Sequence, residues 1–182
     1  MPVEPGTQIS DSHKQAVQAL IFGSEGEWES HFSTILEKDN GSQGYSTLLA
    51  FSVGTAVRRR FSAPWSFVDV IRYVADLRIA LDQDANELNP RLIEALIRFL
   101  LGDDSVKETL TASENQENLV QVETLLLLAL VAEANLDETG VNELLDEAAT
   151  SAERQAEEDV GYAEERLAAR QVEASGSSRS FS

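Results

Sequence analysis

Residues 64–101, PWSFVDVIRYVADLRIALDQDANELNPRLIEALIRFLL, carry an α-helical apolar period twice, with a polar break between. Phe67, Val70, Val74, Leu77 and Leu81 recur at spacings of three and four and so share one helical face. Ile71 and Ile79 widen it. Ser66 with Asp69 resembles a capping box at the start of this helix. Asp82, Gln83 and Asp84 then stop the pattern. Asn89 and Pro90 restart it: Asn is a good N-cap, and Pro at the first helical position loses no needed N–H. Leu92, Ile93, Leu96, Ile97, Leu100 and Leu101 cover more than one face, so this second helix is expected near the middle of a core. Gly102 suits a left-handed helix cap.

The rest of the chain extends the same reading. Helices are predicted over 12–22 (Ala16, Val17, Leu20, Ile21), 27–38 (Trp28, Phe32, Ile35, Leu36) and 45–60 (Tyr45, Leu48, Leu49, Ser52, Val53, Ala56, Val57). Gly54 would let another helix approach closely. Residues 51–57 also read, as an alternative, as a short strand. A shorter helix follows Asp103 or Asp104 and ends near Ala112, and 113–118 is a loop that can also cap the next helix. Residues 119–135 form a second core helix packed on 90–101, and 136–140 is a turn. From Val141 to about Glu173, Leu145, Ala149, Ala152, Ala156, Val160, Ala163 and Leu167 trace a thin stripe. Alanine buries little area, so a projecting or loosely docked helix is expected there. The predicted fold is all-α, a multi-helix orthogonal or bundle-like domain with an extended acidic C-terminal helix. Its parts are a flexible start (1–11), a core (12–135), an acidic extension (136–174) and a disordered tail (175–182).

Charge is unevenly placed. The net value is −18, yet residues 58–98 carry 6 acids and 7 bases while 103–174 carry 19 acids and 4 bases. Such a field disfavours direct binding to nucleic acid or anionic lipid. With no cysteine, disulfides, thiol catalysis and Cys-ligated zinc are excluded. The most apolar run, 125–132, is too short to span a bilayer and is flanked by Glu123 and Glu133. No N-terminal basic-plus-apolar signal is visible, so a soluble cytoplasmic protein is the expectation.

Catalytic signatures are scarce. Asp82, Asp84 and Asn86 open like an EF-hand loop, but Glu87 stands where Gly is needed, Asn89 where an apolar residue is needed, and Ile93 where the bidentate Glu belongs. Glu27 and His31 share a helix face without enough further ligands for a metal. His13 and His31 read as surface residues. Gly41-Ser42-Gln43-Gly44 is neither a nucleophile elbow nor a phosphate loop. No catalytic residue, metal or cofactor is expected.

The most suggestive stretch is Arg58, Arg59, Arg60, Phe61, Ser62, Ala63, Pro64 and Trp65. Three cations suit a helix C-terminus. With Phe61 and Trp65 they read either as a helix end returning to the core or as a docking patch, since Arg and Trp commonly anchor interfaces. Ser62 beside three Arg also fits a basic-directed kinase. The acidic arm, 137–173, reads as a solvated face, as a partner-binding helix, or as a nucleic-acid mimic; it could also fold back over Arg58–Arg60. The expected function is non-enzymatic: an interaction or regulatory protein that anchors a protein partner through Arg58, Arg59, Arg60, Phe61 and Trp65, with a small homo-oligomer as one form of it. Alternatives are an acidic inhibitor of a basic partner, and an enzyme or ligand-binding protein with an anionic-ligand pocket between the central helices, served by Arg72, Arg78, Arg91 or Arg98.

Overall fold

A computed structural model describes residues 9–38, 43–81 and 89–176. Among them the elements are α1 (Asp11–Phe22), α2 (Glu25–Lys38), α3 (Gln43–Arg60), α4 (Phe67–Leu81), α5 (Pro90–Leu100), α6 (Lys107–Thr111), α7 (Ser113–Glu133) and α8 (Glu138–Gly176), with a 3-10 turn at Asp104–Val106. No strand occurs among the described residues, and 51–57 lie inside α3. The fold is all-α. The EF-hand-like loop 82–88, the first residues 1–8, loop residues 39–42 and the tail 177–182 lie outside the described residues.

The helix ends follow local chemistry. At α4, the Ser66 N–H donates to Asp69 Oδ2 (3.1 Å) while the Asp69 N–H donates to Ser66 Oγ (3.2 Å), a reciprocal capping box. At α5, Asn89 Oδ1 accepts from the Arg91 N–H at 3.0 Å, with Pro90 in the first turn. Gly102 takes φ +93°, and the Asp103 N–H reaches back to the Arg98 carbonyl at 3.0 Å. Residues 113–118, expected as a loop, open α7 instead, because Ser, Glu and Asn suit a first helical turn.

The helix on which the fold is built is α3. It packs against α1, α5, α7 and α8, and six consecutive residues, Ser52 to Val57, are buried. Six in a row cover every direction around a helix, so α3 has no solvent face over that length. Small and short side chains make this tolerable. Ser52 Oγ donates to the Leu48 carbonyl at 2.7 Å, Thr55 Oγ1 accepts from Arg58, and a Cβ on Gly54 would already lie 3.4 Å from Leu100 of α5. α5 was expected at the centre. It is well buried through Leu92, Ile93, Leu96 and Ile97, but it touches α3 rather than replacing it as the hub.

The first part of α8 belongs to the same core. Val141, Leu144, Leu145, Ala148, Ala149 and Ala152 are all buried, and α8 packs on α3 and α1. A boundary at residue 135 therefore does not separate it from the rest, and over this length the helix neither projects nor docks loosely. Small alanines allow the backbones of α3 and α8 to close together, which compensates for the little area each one buries. Lys14 to Asp146 (2.6 Å), and Gln18 to Asn142, tie α8 to α1.

Two further positions depart from the sequence reading. His13 is not on the surface: it is 2% exposed, its Nδ1 accepts from the Ser10 N–H at 3.0 Å, and its ring lies against Gly44, where a Cβ would meet Cε1 at 2.3 Å. Only glycine leaves room for that ring. His31 is exposed. Ile71 and Ile79 do not join the buried face of α4 but stand 44% and 78% exposed.

Candidate functional site

The C-terminal turn of α3 carries Arg58, Arg59 and Arg60, and the structure gives each a different task. Arg58 bends back to Thr55, Nη2 to Oγ1 at 3.4 Å. Arg59 reaches Glu147 of α8 at 2.6 Å. Arg60 reaches Glu133 of α7 at 2.6 Å. The sequence suggestion that the acidic arm covers these cations is met in one contact, Arg59 with Glu147, while Arg60 is held by the end of α7.

Phe61 and Trp65 do not stand out as a pair of exposed anchors. Phe61 is 6% exposed and meets Tyr73 of α4 edge-on, with ring centroids 5.3 Å apart. Trp65 is half-buried and packs against the core. The Arg60 guanidinium lies 5.3 Å from the Phe61 ring centroid and 5.5 Å from that of Tyr73. Burial, helped by the nearby Glu133 carboxylate, pushes the Tyr73 hydroxyl up to about 12, so it stays protonated. Its oxygen has no hydrogen-bond partner among the described residues.

Beside this cluster lies a cleft that sequence reasoning missed. Its volume is about 210 Å³, and it is lined by Ala56, Leu130, Val131, Ala134, Leu136 and Leu144, with Arg59 and Arg60 alongside. The end of α7 shapes one wall. Asn135 takes a left-handed backbone (φ 50°), which Asn tolerates better than most residues, and the Leu136 N–H donates to the Val131 carbonyl at 3.2 Å. Leu136 is thereby folded back beside α7. Asp137 Oδ1 then accepts from the Gly140 N–H at 2.9 Å in the first turn of α8. The signal available in the sequence was Leu136, an apolar residue in an otherwise polar turn.

The cleft offers an apolar lining and two guanidinium groups. Its volume falls below the ~300–1,000 Å³ of most small-molecule sites and is closer to that of one or two side chains. The rim ion pairs are exposed, and such pairs contribute only about 0.2–1 kcal/mol, so an incoming carboxylate could displace Glu133 or Glu147 at little cost.

The other candidates disperse. Arg98 joins Asp103 (2.7 Å) and Glu94 (3.3 Å) and stacks over Phe67 at 4.7 Å, so it braces α5 and its C-terminal turn. Arg72, Arg78 and Arg91 are exposed rather than gathered around a pocket. α4 and α5 pack on each other, and apart from Tyr73 what they bury is aliphatic, Val70, Val74 and Leu77 on α4 and Leu92, Ile93 and Leu96 on α5 among them. Glu27 caps α2 by accepting from the Ser24 N–H at 2.8 Å, a hydrogen bond that holds its carboxyl below the usual range. No cluster of three potential metal ligands occurs among the described residues, and no helix among them is long and apolar enough to cross a membrane. Comparison with protein families, curated proteins and solved structures finds no match to this chain.

Proposed function

We propose that this chain is a non-enzymatic interaction protein that captures a partner protein at the cleft between α3, α7 and the start of α8. The occupant would be an apolar side chain with a carboxylate next to it. The apolar side chain would enter between Leu130, Val131, Leu136 and Leu144, and the carboxylate would replace an intramolecular acid on Arg59 or Arg60. The observation that carries this reading is an open apolar cleft bordered by two arginines whose present partners are exposed and weakly held. Phe61 and Trp65 then act beneath the surface, by fixing the end of α3, rather than as anchors inserted into the partner.

Affinity capture of the tagged protein from its native cells tests the reading, using wild type, Ala134→Arg and the double variant Arg59→Glu/Arg60→Glu. Ala134 is exposed at the cleft, so a long side chain there can occupy the cleft without displacing any buried residue. A stoichiometric partner held by wild type and lost by both variants, each with an unchanged circular dichroism spectrum, is the expected result. A partner retained by Ala134→Arg would remove the cleft from the proposal, and recovery of the wild type alone would remove the interaction reading.

A further inference from the structure

α4 has two apolar sides. Val70, Tyr73, Val74 and Leu77 face the core. On the opposite side, Val68 is 57% exposed, Ile71 44% and Ile79 78%, and Ala75 between them is exposed as well. Positions 68, 71, 75 and 79 follow helical spacing and form one continuous stripe. Among the described residues nothing covers it.

The charges along the stripe are arranged for self-recognition. α4 carries two acids, Asp69 and Asp76, and two bases, Arg72 and Arg78, in a chain whose net charge is −18. α4 itself is therefore neutral, and two copies that meet along it do not set a net negative helix against another. Arg72 and Asp76 border the stripe on the same flank, four residues apart, and neither joins an ion pair among the described residues. In an antiparallel helix pair, like flanks face each other. A two-fold axis at the level of residue 74 then sets Arg72 of each copy against Asp76 of the other, forming the contact twice. In the same register Val68 falls within one residue of Ile79, and Ile71 within two of Ala75. A parallel pair would instead set this flank against the opposite one, separating Arg72 from Asp76 of the other copy.

We propose that the exposed face of α4 is a contact surface for a second copy of this chain, the two helices packing antiparallel about that axis. The apolar stripe supplies the attraction, and the Arg72–Asp76 pairs select orientation and register. Val68, Ile71 and Ile79 together present on the order of 300 Å² per copy, against the ~800 Å² per partner of a standard stable interface. The dimer is accordingly weak and concentration-dependent.

Sedimentation equilibrium over a wide concentration range, at physiological ionic strength to screen the net charge, tests the inference. Wild type is expected to show a reversible monomer–dimer equilibrium. Ile79→Lys, Arg72→Asp and Asp76→Arg should each weaken it by about tenfold or more. All three positions are exposed, so circular dichroism should be unchanged. An equimolar mixture of Arg72→Asp with Asp76→Arg should recover association as a heterodimer, because each copy supplies the charge the other needs. A wild type that stays monomeric throughout would overturn the proposal, as would association indifferent to Ile79→Lys. Failure of the mixture to recover would overturn the antiparallel register.

Discussion

Glu123 lies in the apolar length of α7, beside Val122 and within reach of the turn that carries Leu126 and Leu127, and is only 7% exposed. Loss of water disfavours its charged form and pushes its carboxyl up to about 7. In the unfolded chain the same group ionises near the ordinary glutamate value of about 4.3. Between those two values the folded protein holds a proton that the unfolded one has lost. Stability should therefore fall as pH rises from about 4.5 to 7 and then level off, by an amount on the order of 2–4 kcal/mol. Glu123→Gln should flatten that dependence and raise stability at pH 8, as read by urea unfolding at pH 5 and pH 8. An equal pH dependence in both proteins would mean that other groups cause it. The sequence showed Glu123 only as a charge at the edge of an apolar run, and nothing local reveals which side of a helix its neighbours will cover. His13 was misjudged for the same reason: its burial depends on Gly44, an absent side chain thirty-one positions away that no helical period could flag.

At the level of elements, α4, α5 and α7 were legible because large apolar residues mark their buried faces and polar residues mark their ends. The caps at Ser66, Asn89 and Gly102 formed as their chemistry suggests. α3 and α8 were less legible for one shared reason: much of what they bury is small. Gly54 pointed to a close approach and Ser52 and Ala56 to one buried face, but Thr55 has too little apolar surface to show that the burial runs all round, and Ala148, Ala149 and Ala152 resemble a helix chosen for propensity alone. Their value lies in close approach, which a hydropathy pattern does not measure. Ala148→Leu makes the distinction testable. It adds apolar surface and keeps helix propensity, so a loosely docked helix would tolerate or welcome it. At a fully buried position against tightly packed neighbours it should cost about 1–3 kcal/mol in urea unfolding. A stabilised variant would mean that the seam has spare room. The cleft was illegible for a different reason, since it is assembled from the ends of three elements and no single stretch contains it.

Across the whole molecule, 32 acids against 14 bases make self-repulsion a general feature of the folded state. The ion pairs seen here are mostly exposed, which limits what they return. Raising ionic strength from about 0.01 M to 0.15 M shortens the screening length from ~30 to ~8 Å, so the thermal midpoint should rise over this range. A midpoint that fell would mean that the exposed pairs outweigh the repulsion. The position of α3 also has a consequence during synthesis. Its surface is completed by α7 and by the first turns of α8, both made long after α3 itself. At about 5–20 residues per second, the ribosome needs roughly 5–20 s to pass from the end of α3 to Ala152. Throughout that interval the nascent chain carries a finished central helix whose set of companions is incomplete, and it is in those seconds that a chaperone would find the protein most in need of it.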